Sequence, residues 1–308
     1  MKFLAILTAG LAALTLAACA STNRPEPMTN GHFIDWQGAS LHVREWGEGR
    51  PLLLIHGASG NSGDLEISLV PALEDQFRVV AYDRPGLGRS RGRPAGAGTL
   101  AGQAEAALAV IEAEGLEKPV VVGHSFGGSV ALRLALDHPE AISGLVLISA
   151  PSHEWPGGIA WYYHWSAAPL IGPVFNRTAV PLVAPRQLES GMQSVFSPQE
   201  PPQNYIERAG IRQLLRPGAF AANSDDMVGL KAELIEQSSR YRQMDMPVAI
   251  LHGDADDTVS HSLHAERMAE EIPDSRLSIL PGMGHMPHHF RQALIKEHIE
   301  AVYRDAGD

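Results

Sequence analysis

The sequence predicts an α/β protein built on a mostly parallel, doubly wound sheet that carries a helical cap insertion. Three observations lead there. Six apolar runs, PLLLIHG, FRVVAYD, KPVVVGHS, GLVLISA, MPVAILHG and SRLSILPG, lack the alternation of a strand with one wet face, so they fit strands buried on both sides. Helical patterns fill the intervals at 100–114, 128–137, 261–271 and 292–304, and alternation of strand with helix builds a parallel sheet. One interval breaks the rhythm: residues 151–245 are too many for a simple crossover and read as an inserted, mostly helical cap.

The elements follow in chain order. Residues 1–18 hold one lysine, a short apolar core and small residues before a boundary, which suits a secretory signal better than a membrane span of about 20 apolar residues. The boundary reads LAAC and is similar to the bacterial lipoprotein signal, in which the cysteine is acylated. Cys19 is the single cysteine of the 308 residues, so no disulfide can form within the chain, and a lipid anchor is the use the resemblance implies for it. An exported lipoprotein of a bacterial envelope, held to a membrane by that anchor, is therefore expected. Residues 19–31 are rich in Pro and Asn without apolar periodicity and form the tether.

Short alternating stretches at 33–36 and 41–46, with Gln37, Gly38 and Ala39 between them, suggest an antiparallel hairpin that opens the core domain, residues 32–150 and 246–308. Within the cap, 204–215 and 226–242 have helical character, and Trp155, Trp161, Tyr162, Tyr163 and Trp165 cluster near its start. Charge excludes one class of partner: 24 basic against 35 acidic residues give −11, with no basic run to track nucleic acid. The same excess predicts a body that stands off an anionic membrane.

The chemistry centres on VVVGHSFGGSV. A buried strand runs into Ser125 and on into a helix, so the turn is sharp, and the positions two before and two after the serine must be small; they are Gly123 and Gly127. Such a turn lifts the hydroxyl above the strand ends and points helix-start amides at the same space. With this nucleophile elbow the chain resembles the α/β-hydrolase superfamily. The HG loop IHGASGNSG, the stretch DRPGLGRS and two late loops, LHGDADDTVS and LPGMGHMPHH, extend the resemblance over about residues 32–305.

The resemblance implies a serine nucleophile, Ser125, a base, His285, and an acid, Asp256, in the order serine, acid, histidine. Asp254 and Asp257 share the acid loop, and Asp257 is the first substitute. The oxyanion donors it implies are the amides of Phe126 and Ala58. Ser59, Trp155 and Trp161 are candidate pocket residues. His56 and His124 read as structural, Asp83 and Arg84 as local scaffolding, and His288 and His289 as residues of a helix start or pocket rim. No metal or cofactor is expected, since HExxH is absent and no Glu or Cys stands near the three late histidines.

The implied reaction is hydrolysis of carboxylic esters with small to medium apolar acyl or aryl groups, through an acyl-enzyme. Cleavage of carbon–carbon bonds and cofactor-free haloperoxidase or perhydrolase chemistry are the alternatives within the superfamily; a non-catalytic lipoprotein scaffold is the alternative outside it.

Overall fold

The computed structural model describes residues 31–307. The leader, Cys19 and nearly all of the tether lie outside the described residues. Eight strands form one sheet in the order β1-β2-β4-β3-β5-β6-β7-β8. They are β1 (His32–Trp36), β2 (Ala39–Trp46), β3 (Arg50–Ile55), β4 (Phe77–Tyr82), β5 (Val120–His124), β6 (Gly144–Ile148), β7 (Val248–Gly253) and β8 (Ser275–Leu280). The β1–β2 and β2–β4 pairs are antiparallel and the rest are parallel. The six apolar runs are β3 to β8, and the doubly wound fold class expected of them is the one observed. The hairpin turn is tighter than the sequence suggests: Trp36 pairs with Ala39, leaving Gln37 and Gly38, both at positive φ, as a two-residue turn.

Alternate residues of each central strand feed opposite cores. Leu53, Ile55, Val80 and Val121 pack under α3 (Leu100–Ala113) and α4 (Phe126–Asp137). Their neighbours Leu52, Leu54, Val79 and Val122 pack under α1 (Ser62–Ser68), α2 (Val70–Leu73) and α10 (Gln292–Asp305). Two covered faces are why these strands show no polar stripe. Thr99 caps α3, its side chain accepting from the Gly102 amide.

Between β6 and β7 the chain forms α5 (Trp161–Ala167), α6 (Gly172–Phe196), α7 (Tyr205–Arg208) and α8 (Pro217–Ser238). The 25-residue α6 was not legible in the sequence. Pro181 and Pro185 lie inside it, and proline removes a helix donor, so local propensity argues against a helix there. The stretch 204–215, by contrast, is two short pieces, because Gly210 takes φ 65° between α7 and the 3-10 turn Ile211–Leu215. The helix expected at 261–271 is a π turn, Ser262–Glu266, running into α9 (Arg267–Glu271).

Candidate active site

Parallel strands deliver their functional loops to one edge, beyond their carboxyl ends. Ser125 sits between β5 and α4 at φ 49°, ψ −124°, in a region that an L-residue enters at a cost of about 1–3 kcal/mol. The crossing of strand and helix explains its glycines. A Cβ on Gly123 would lie 2.5 Å from the Gly127 carbonyl oxygen, and one on Gly127 would overlap the Ile55 carbonyl. Hydrogen bonds from the Ser125 amide to the Ile148 carbonyl and from the Gly128 amide to the Ser125 carbonyl, both 2.8 Å, hold the turn.

The loop after β8 brings His285 to this serine. Nε2 of His285 lies 3.0 Å from Ser125 Oγ, and its Nδ1 lies 2.8 Å from Asp256 Oδ2 on the loop after β7. With the proton of the neutral ring on Nδ1, facing the carboxylate, Nε2 is free to accept from the hydroxyl. Among the three aspartates of the acid loop, Asp256 is the one that meets His285: Asp254 accepts from the Gly282 amide, and Asp257 is exposed. Burial alone would raise the Asp256 carboxyl. Hydrogen bonds from His252 and His285 outweigh it and hold the group well below the usual carboxylate range. Amides of Thr258 and Val259 also donate to Asp256 Oδ1, at 2.8 and 2.9 Å.

Sequence reasoning missed His252, the penultimate residue of β7. Its Nε2 faces Asp256 Oδ2 at 3.0 Å and the Val259 carbonyl at 2.8 Å, while its buried Nδ1 has no hydrogen-bond partner. It also missed Asp64, in the first turn of α1. His288 and His289 are expected at a surface or rim, but His288 is buried and the side chain of His289 is shielded, because Asp64 draws them inward. Their Nε2 atoms donate to its two carboxylate oxygens at 3.0 and 2.8 Å, and Tyr205 Oη donates at 2.7 Å. Burial favours a neutral Asp64, but His288 and His289 overcome it and keep the carboxyl well below its ordinary range.

His124 packs against His288 with the rings tilted by 44° and their centres 4.1 Å apart, and donates from Nε2 to the His285 carbonyl at 3.0 Å. Burial, with His288 and His285 adding to it, pushes His124 well below the ordinary imidazole range, so the ring is neutral. Ligating atoms of Asp64, His124 and His288 lie within 4.8 Å of one another. This is the group among the described residues whose donor set could hold a metal. Hydrogen bonds engage both Asp64 oxygens and the Nε2 atoms of both histidines, so the cluster supports the His285 loop, while the buried Nδ1 of His288 has no hydrogen-bond partner.

The HG loop abuts Ser125: a Cβ on Gly57 would lie 3.1 Å from Ser125 Cβ. Arg84, fully buried, clamps the loop through the His56 and Gly57 carbonyls at 3.1 and 3.2 Å and pairs with Asp226 of α8 at 2.7 Å. His56 accepts the Arg84 amide on Nε2 at 3.0 Å, and burial with the nearby guanidinium lowers its pKa to about 4. Asp83 receives the Ser62 and Arg89 amides, both at 2.7 Å, and His42 Nδ1 at 2.9 Å. DRPGLGRS is thus scaffolding for the loop that carries Ala58.

Ser125 opens on a cavity of about 620 Å³. Ala58, Phe126, Ser59 and Trp155 line it, with apolar side chains such as Met192, Val195, Leu230 and Leu263. The Ser59 amide donates to Asn223 Oδ1 of α8 at 2.6 Å, tying the cap to the HG loop. Trp161 departs from its expected place. It is 64 % exposed and packs edge-on against Trp165 and Phe175, away from the cavity lining. The helical period separates it from Tyr163, which does line the cavity.

Residues 50–292 match the profile of a family described as alpha/beta hydrolase fold. A non-heme haloperoxidase of Rhodococcus erythropolis is 29 % identical over 257 residues, 80 % of this chain and 90 % of that protein. Among solved structures, an alpha/beta hydrolase fold protein from Burkholderia ambifaria superposes with a TM-score of 0.74 at 21 % identity, covering 90 % of this chain and all of that one. Esterase RhEst1 from Rhodococcus sp. ECU1013 gives 0.67 at 24 % identity, covering 89 % of this chain and all of the other.

Proposed function

Because this chain belongs to the alpha/beta hydrolase fold family, we propose that it is a serine hydrolase acting on carboxylic esters of small to medium apolar acyl or aryl groups. The observation that carries the reading is the relay from Asp256 to His285 to Ser125, at 2.8 and 3.0 Å, opening on a cavity lined largely by apolar side chains.

In the proposed reaction Ser125 Oγ attacks the ester carbonyl while its proton passes to His285 Nε2. Negative charge develops on the carbonyl oxygen, facing the amides of Ala58 and Phe126; fixed donors of this kind contribute about 3–4 kcal/mol each. The tetrahedral species collapses, the alkoxide leaves with the proton from His285, and Ser125 is acylated. Water, deprotonated by His285, then attacks the acyl-enzyme and frees the acid. Asp256, ionised throughout, stabilises the imidazolium at both steps.

Labelling by a fluorophosphonate at Ser125, absent in Ser125→Ala, tests the nucleophile; an unlabelled native protein favours a non-catalytic scaffold. Aryl esters of graded chain length test the acyl class, and peak activity at long chains refutes that part. The similarity to a haloperoxidase over most of both chains supports a second reading, perhydrolysis, in which hydrogen peroxide replaces water at the acyl-enzyme. Peracid formed from acetate and peroxide, faster than ester hydrolysis, would favour it. For the leader we propose export and acylation at Cys19, tested by incorporation of a palmitate analogue that Cys19→Ser abolishes.

A further inference from the structure

The cap presents an unusual outer face. On α5, on the turn after it and along the first half of α6, large apolar side chains point outward: Trp161 is 64 % exposed, Leu170 91 % and Leu182 65 %, with Trp165, Ile171 and Val174 beside them. Trp161, Trp165 and Phe175 pack against each other edge to face, with ring centres 5.8 to 6.4 Å apart. The face is therefore an organised patch rather than scattered exposure, and patches of this kind mark interaction sites.

Its charge is opposite to that of the whole chain. From residue 155 to residue 188 there is no Asp or Glu, and the charged residues are Arg177 and Arg186, in a protein of net charge −11. Both are exposed, and each hydrogen-bonds a carbonyl of its own helix, Arg177 to Pro173 and Arg186 to Leu182. Among the described residues neither pairs with a carboxylate. Indole rings, bulky aliphatic side chains and unpaired guanidinium groups on one face are the chemistry that seats in the headgroup and upper acyl layer of an anionic bilayer. No helix among the described residues is long and apolar enough to cross a membrane, so the contact is one of surface.

We infer that this face of α5 and α6 docks on an anionic phospholipid surface. Net charge alone would hold the body away from such a surface; the segregation of charge onto other faces lets this one approach. Tyr163, on the other side of α5, and Met192 and Val195, in the second half of α6, line the cavity. The inference concerns binding and stands whether or not the proposed ester chemistry is right.

The test uses the full-length protein on vesicles of phosphatidylcholine with phosphatidylglycerol whose acyl chains carry bromine, reading tryptophan quenching. Residues 1–30 hold no tryptophan, so an anchor at the N-terminus does not itself give the signal. Quenching is expected for the wild type, and Trp161→Tyr with Trp165→Tyr should remove most of it. Leu182→Asp should weaken lipid contact about tenfold, as should neutral vesicles without phosphatidylglycerol. Near-ultraviolet circular dichroism verifies the fold of each variant without reference to activity. Absence of quenching in the wild type, or quenching that survives the double substitution, overturns the inference. So does a concentration-dependent dimer that Leu182→Asp dissolves, which would make a second copy the occupant.

Discussion

Asp256 meets His285 through Oδ2 at 2.8 Å, and that same oxygen also accepts from His252 at 3.0 Å. One carboxylate oxygen therefore orients His285 while a second imidazole, on a rigid strand, orients the carboxylate. This arrangement makes His252 a positioning residue. His252→Leu should lower kcat roughly ten- to a hundredfold with KM little changed. Hydrogen bonding from His252 helps hold the Asp256 carboxyl below the usual carboxylate range. A variant with unchanged kcat contradicts the role.

The acid itself separates from its neighbour by the same geometry. Asp256→Asn should reduce kcat by about 10⁴-fold, because the amide favours the wrong tautomer of His285. Asp257→Asn should change it by less than about threefold, since this side chain lines the cavity but Asp256 is the carboxylate that meets His285. Steady-state kinetics on one aryl ester decides between them.

Acid should destabilise the fold through His56. Its pKa falls from 6.5 to about 4 on folding, chiefly through burial. The unfolded chain therefore binds more protons between these values, and stability is lost as pH drops below 6.5 and continues to fall toward 4. At pH 5 the loss from this group is about 2 kcal/mol relative to pH 7. Urea unfolding at both pH values should show that His56→Gln flattens this part of the slope.

Asp226 joins Arg84 and Arg93, and its own side chain is fully shielded. Asp226→Ala leaves a buried guanidinium unpaired and should cost about 3–5 kcal/mol in thermal or urea unfolding. Arg84 also clamps the loop that carries Ala58, so the folded fraction should show a reduced kcat. Wild-type stability in the variant would mean that Arg84 finds another partner.

Gly127→Ala tests the elbow. The added methyl would overlap the Ile55 carbonyl, and since that atom is strand backbone, the strand or the helix must move. A loss of at least about 2 kcal/mol is expected, together with loss of fluorophosphonate labelling.

Features that rest on local chemistry are legible in the order of the amino acids. Two-sided burial of β3 to β8 is legible as uninterrupted apolar runs, and the elbow is legible because Gly123 and Gly127 answer to a backbone crossing only a few residues away. Ser125, His285 and Asp256, with Asp257 as the substitute for the acid, could be named from loops that follow strands in a recognisable order. Tertiary structure alone decided the rest, since it depends on distances between segments remote in the chain. Asp256 rather than Asp257 turns toward His285 because its side chain is drawn in by His252 and by the amides of Thr258 and Val259. Asp64 lies more than two hundred residues from His288 and His289, so no local pattern announces that one carboxylate will bury both. Trp161 and Tyr163, two residues apart, face solvent and cavity respectively, because the sides of a helix are assigned by what packs against it and not by composition.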